Sequence, residues 1–189
     1  MTAPVRAIAA LAIALLPVTT LLALHFRDGP PARVTGGFGE DSCLACHFGN
    51  APNDDAGKLT LSGISERYEP GSIYELEVAL SRPGMKAGGF QLAIRNADDR
   101  MPAGRIAVPA EEKSRVGVLE ERGVQFAQHR LAEAPASDEV QWKLSWTAPE
   151  TPRRVTIHVA AVAGDGDESQ AGDFVYTLEA YTESISAAQ

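Results

Sequence analysis

Cys43, Leu44, Ala45, Cys46 and His47 spell C-x-x-C-H, and these two cysteines are the only ones in 189 residues. Two thiols at this spacing can each form a thioether to one of the two vinyl groups of a haem, and the histidine that follows can reach the iron with its imidazole. Covalent capture also holds the cofactor without a deep apolar pocket. The spacing therefore predicts one covalent haem c, with Cys43 and Cys46 as thioether positions and His47 as an axial iron ligand. Other chemistries use the same residues. A Cys43–Cys46 disulfide forms readily in an oxidising compartment. A thioredoxin-like pair needs a βαβ surround and a helix starting at the motif, whereas this motif lies between loop-like stretches. A zinc site needs further ligands at suitable spacing, and none is near in sequence.

The opposite side of the iron has several candidate ligands. His129 lies in the run VQFAQHR, on the face opposite Val124 and Phe126. Met85 lies in the loop RPGMKAGG, where a thioether can swing over a ring and raise the potential. His158, in RVTIHVAAV, is off the expected core face, and Met101 is a further thioether. The order of preference is His129, then Met85, then His158, with a five-coordinate iron as the remaining alternative.

Three kinds of segment position these residues. Residues 7–26 are an apolar run preceded by Arg6 and followed by Arg27. This is the pattern of a secretory signal, and the run is about long enough to span a bilayer. Residues 1–27 are thus read as a signal peptide or N-terminal membrane anchor. Residues 28–57 are read as a Pro- and Gly-rich linker and haem-attachment segment. From Lys58 the pattern changes to about eight short runs with period-two alternation, separated by turn residues, which predicts an all-β sandwich over residues 58–182. Its expected core stripes are Tyr74, Leu76, Val78 and Leu80; Trp142, Leu144 and Trp146; and Val155, Ile157, Val159 and Ala161. A helical turn is expected around residues 109–115. Gly164 to Asp167, with Asp173, reads as a hairpin loop rather than a calcium loop, which would need a closing bidentate acid.

Composition narrows the classes. Hydrophobic residues are 44% and charged residues 22%, which is globular. A formal net charge of −8 without a basic stripe argues against nucleic acid and suits a basic redox partner. No nucleophile–base arrangement or phosphate-cradling loop supports a claim of catalysis.

Several collinear motifs resemble the bacterial reelin-domain-like proteins, also called choice-of-anchor V proteins. Gly39 to His47 is similar to their G-E-x-x-C-x-x-C-H start, and Tyr68, Pro70, Gly71 and Tyr74 to their Y-x-P-G-x-x-Y segment. Gly89-Phe90-Gln91-Leu92 resembles their G-F-Q-L strand. Trp142 to Pro149 resembles W-x-F-x-W-x-A-P, with Leu144 in the aromatic position. Gly172-Asp173 with Val175-Tyr176 resembles the closing G-D-x-[IV]-Y strand, and His129 falls where these proteins often carry a histidine. The resemblance covers about residues 36–178. It implies an immunoglobulin-like, reelin-like β-sandwich behind the haem-binding segment and the N-terminal helix, and no settled activity. Because the group often ends in a C-terminal anchor, the N-terminal run is expected to retain this chain.

Two functions follow as expectations. One is an exported electron carrier with a single haem c, on the periplasmic or extracellular face of the inner membrane, exchanging electrons with redox partner proteins. The other is a reelin-like binding or adhesion module in which C-x-x-C-H is a disulfide clip.

Overall fold

In the computed structural model, residues 29–135 and 137–185 are described. The apolar run 7–26, expected to be a signal or membrane helix, lies outside them. Among the described residues no helix is long and apolar enough to cross a membrane.

Ten strands occur among the described residues: β1 Lys58–Ser62, β2 Arg67–Tyr68, β3 Ile73–Ser81, β4 Ala87–Asn96, β5 Arg105–Ala107, β6 Val116–Glu121, β7 Val124–His129, β8 Glu139–Thr147, β9 Arg154–Gly164 and β10 Phe174–Ser184. They form a four-stranded sheet in the order β1-β3-β8-β5 and a six-stranded sheet in the order β2-β10-β9-β4-β7-β6. Pairing is antiparallel except between β2 and β10. The expected strands are present. β2 and β6 add to them: β2 is too short to show a period, and β6 ends in the polar Glu120 and Glu121. The expected helical turn is a short 3₁₀ turn at Ala110–Glu112.

Alternation explains the core. Leu76, Val78 and Leu80 of β3 and Val140, Trp142, Leu144 and Trp146 of β8 point at Phe90, Leu92 and Ile94 of β4 and at the odd-numbered residues of β9 from Val155 to Ala163. Phe90 packs on Trp142 with ring centroids 4.6 Å apart. Trp146 lies between Tyr68 and Tyr74. The polar tips of the buried aromatics are paired, as burial requires. Trp146 Nε1 donates to the Ala103 carbonyl at 2.8 Å, Trp142 Nε1 to Glu133 at 3.1 Å, and the Tyr68 hydroxyl to the Arg153 carbonyl at 2.9 Å.

β4 and β9 depart from simple alternation, because nearly every residue in them is buried. One face meets the core. The other is covered by residues 30–48, so the stretch expected to be a linker is packed on the sheet. Val34 and Thr35 are buried there. The Val34 amide donates to Gln91 Oε1 at 2.8 Å, and Gln91 Nε2 donates to the Pro31 carbonyl at 2.8 Å. Glu40 pairs with Arg95 at 2.6 Å, both side chains being almost wholly buried. The Arg95 guanidinium also lies over the Phe38 ring, 4.4 Å from its centroid.

Two stability predictions follow from this layering. Leu144→Ala, in the shared core, is expected to cost about 3 kcal/mol, while Ile73→Ala, on an exposed position of β3, should stay within about 0.5 kcal/mol; equilibrium denaturation in urea measures both. Glu40→Ala strands the buried Arg95 charge and is expected to loosen residues 30–48 before the sandwich melts, seen as faster amide hydrogen exchange in that segment and in β4.

Candidate functional site

The motif is presented by a short folded segment. Residues 36–41 turn back on themselves, with the Gly36 amide donating to the Asp41 carbonyl at 2.8 Å and Thr35 bridging to Ser42. Ser42 then caps a 3₁₀ turn at Cys43–Ala45, its hydroxyl accepting the Leu44 amide at 3.2 Å. The Cys46 and His47 amides both return to the Cys43 carbonyl, at 3.2 and 2.8 Å. This coil brings Cys43, Cys46 and His47 to one cleft. Directly afterwards, the chain is stitched to the loop between β9 and β10. The Phe48 amide donates to the Gln170 carbonyl at 2.9 Å, the Gly172 amide to the Phe48 carbonyl at 2.8 Å, and Asn50 Nδ2 to the Gly172 carbonyl at 2.6 Å.

His47 Nδ1 lies 2.6 Å from Asp173 Oδ2, and the Asp173 side chain is only 5% exposed. Cys43 is buried against Ala160 and Val175 on the outer face of the six-stranded sheet. Burial pushes its thiol up to about 12. Cys46 is partly exposed, and the two cysteines are free thiols, with Cys43 Sγ 4.0 Å from the Val34 carbonyl.

The cleft has a volume of about 380 Å³. Its walls are mostly apolar, from Pro30, Val34 and Val162 to Ala132. Cys43, Cys46, His47 and His129 all line it. His129 ends β7 at the point where that strand parts from β4, and its ring takes over the ladder: Nδ1 accepts the Phe90 amide at 3.0 Å and lies 3.2 Å from the Phe90 carbonyl. Gly89 makes room for it, because a Cβ there would sit 2.6 Å from His129 Cε1. Burial lowers the His129 pKa below its ordinary value, outweighing the Phe90 carbonyl and Glu133, so the ring is neutral at neutral pH.

The other candidates lie elsewhere. Met85 was expected in a free loop; it is buried in the sandwich core and does not line the cleft. The apolar filling of the core claims its thioether. His158 faces a separate hollow on the same sheet face, its ring edge-on to Phe38 at 4.6 Å and Nε2 3.1 Å from Glu179. Met101 is exposed. The loop that raised the question of calcium is the β9–β10 hairpin connection, and its acids cap its own amides: Asp165 accepts from Asp167 at 3.0 Å and Asp167 from Ser169 at 2.7 Å. Among the described residues, no group of three or more His, Cys, Asp and Glu side chains could hold a bare metal ion. The sequence reading missed Asp173 as the partner of His47. The closing Gly172-Asp173 motif, collinear with C-x-x-C-H, was the signal that could have joined them.

No protein-family model matches this chain, and neither does any curated protein. Solved structures do. The Reelin-N domain of F-spondin is similar with a TM-score of 0.53 at 15% identity, over 76% of this chain and 96% of that domain. The human F-spondin reeler domain is similar with a TM-score of 0.48 at 16% identity, over 74% and 95%. A cohesin module from a Clostridium perfringens family 33 glycoside hydrolase is similar with 0.48 at 13%, over 68% and 96%. The fold is reelin-like. At these identities the likeness concerns the fold alone.

A pH dependence follows from the covered sheet face. Burial, partly offset by the Glu179 carboxylate, holds the His158 imidazole below its ordinary range. The unfolded chain then binds protons where the folded chain does not. Stability from this residue is complete above about pH 6.5 and is lost as pH falls from there through the folded value. The melting temperature is expected to drop on going from about pH 7.5 to about pH 5.5, and His158→Gln should shrink that drop.

Proposed function

We propose that this chain is an exported c-type haem protein that carries single electrons, with one haem c held in the cleft between the C-x-x-C-H segment and the six-stranded sheet. The observation that carries the reading is convergence: Cys43, Cys46, His47 and His129 line one largely apolar cleft. The donor set fits the group, with two thiols for the vinyl groups and a histidine directly after them.

When bound, haem supplies a one-electron couple whose potential is set by axial ligand and burial. The chain's residues do the rest. Cys43 and Cys46 would each hold the group by a thioether, the thiol adding across one vinyl group, sulfur to the inner carbon and hydrogen to the outer, with no net oxidation. Buried Cys43, its thiol pushed up to about 12, is a weak nucleophile in the docked segment. Attachment therefore belongs to the chain before residues 30–48 close on the sheet. His47 offers Nε2 to the iron while Nδ1 is engaged. With Nδ1 donating to the Phe90 carbonyl, His129 would have its Nε2 lone pair free to hold the iron as a second protein ligand; with Nδ1 accepting the Phe90 amide, Nε2 would carry the hydrogen and could not.

The resemblance to bacterial reelin-domain-like proteins and the apolar run 7–26 support export to the periplasmic or outer face of the inner membrane, with that run as signal or anchor. The net charge of −8 suits a basic redox partner. A second reading is a recognition module on the reelin-like scaffold with Cys43 and Cys46 closed as a disulfide clip; the exposed Phe48 and Leu44 beside the motif favour it.

Expression with cytochrome c maturation machinery decides between them. The denatured protein is expected to keep a haem band and a mass one haem above the polypeptide, and Cys43→Ala with Cys46→Ala should lose both. A bare polypeptide mass from the matured wild type would leave the recognition module. His129→Ala is expected to convert a low-spin spectrum to high-spin; an unchanged low-spin spectrum excludes His129 as the ligand.

A further inference from the structure

Resting on the haem-carrying reading above, we infer that Asp173 is a positioning residue that fixes the tautomer of His47 and holds the iron's reduction potential low. An ionised carboxylate only accepts hydrogen bonds. With Asp173 Oδ2 2.6 Å from His47 Nδ1, the ring hydrogen sits on Nδ1, and the lone pair of Nε2 is free for a metal. An outer-shell carboxylate of this kind orients the imidazole and raises its basicity. A more electron-donating ligand favours the oxidised iron over the reduced one, which lowers the potential.

The contact is built rather than incidental. Both partners are held by backbone bonds on either side: His47 by its amide to the Cys43 carbonyl at 2.8 Å, and Asp173 by the Asn50 side chain on its carbonyl at 3.2 Å. The second carboxylate oxygen, Oδ1, accepts the Asp165 amide at 3.3 Å, so both oxygens face fixed donors. At 5% exposure, little water screens the carboxylate, and its effect on the ring is stronger than on the surface. The reduced protein is a good donor, and the partner that takes its electron has a higher potential.

The test is the midpoint potential of the matured, full-length protein, measured by spectroelectrochemical titration at one pH and salt concentration. Asp173→Asn keeps the size and one oxygen that can accept from His47 Nδ1–H, but removes the charge. It is expected to raise the potential with haem content unchanged, while Asp173→Glu, which keeps the carboxylate, should return it towards the wild-type value. Asp165→Asn removes a nearby charge that does not touch His47 and is expected to leave the potential where it was. Equal potentials in wild type and Asp173→Asn, or an equal rise in Asp165→Asn, would overturn the role of Asp173 while leaving the haem reading intact. A matured wild type without covalent haem would remove both. Should Asp173→Asn take up no haem, photolysis of the carbon monoxide complex of the wild type decides. The transient iron–nitrogen stretch is expected above that of a neutral imidazole–haem complex, and a band at the neutral position would sink the proposal.

Discussion

The central strands β4 and β9 of the six-stranded sheet are buried on both faces, and their outer face is covered because a buried ion pair holds residues 30–48 against it. Glu40 and Arg95, almost wholly buried and 2.6 Å apart, cost several kcal/mol each to take out of water. Their mutual pairing, a second contact of Glu40 with Arg33 at 3.3 Å and the Phe38 ring stacked beneath the Arg95 guanidinium offset that cost. Neither charge is tolerable there without the other, so the covering segment has one register on the sheet. Gln91 reinforces that register, accepting from the Val34 amide and donating to the Pro31 carbonyl. The C-x-x-C-H turn leaves this anchored segment at a defined height above β9 and β10.

From that anchor the site follows by short steps. Ser42 starts the 3₁₀ turn, the turn gathers Cys43, Cys46 and His47, and the Phe48 stitch to the β9–β10 loop brings Asp173 up to His47. On the far wall, β7 departs from β4 at His129, whose ring satisfies the Phe90 backbone in place of a strand neighbour. A neutral, buried imidazole and an apolar lining suit a cofactor that exchanges electrons without exposing much of its surface. The same sandwich supports other roles in other chains, so the functional reading rests on this cleft and not on the fold.

Much of the fold was legible because strands buried on one face announce themselves by period two. The Trp142, Leu144, Trp146 stripe and the β9 stripe from Val155 to Ala161 read correctly as core. Within the segment read as linker and haem attachment, residues 28–57, the described stretch 30–48 packs on the sheet for a definite reason. Pro30, Pro31 and the Gly36–Gly39 cluster mark irregular backbone, but irregular backbone also packs when side chains such as Gln91 and Arg100 satisfy it. Met85 shows the same gap in reverse: flanking turn residues suggest an exposed loop, yet the side chain drops into the core. Phe126, in phase with Val124, looks like a core residue of the sandwich. It lies instead on the covered outer face, 5.4 Å from the Arg95 guanidinium.

By itself the sequence determined the all-β class, the main strands and the one motif with thioether-forming spacing, because each depends on residues close together in the chain. Only the tertiary structure decided which distant residues meet that motif. Asp173 lies 126 positions after His47, and His129 reaches the cleft only because β7 parts from β4 there. Which of His129, Met85 and His158 shares the cleft was likewise out of reach of spacing. Strand order, the buried Glu40–Arg95 pair and the filling of the core settle it, and those are properties of packing between elements far apart in sequence.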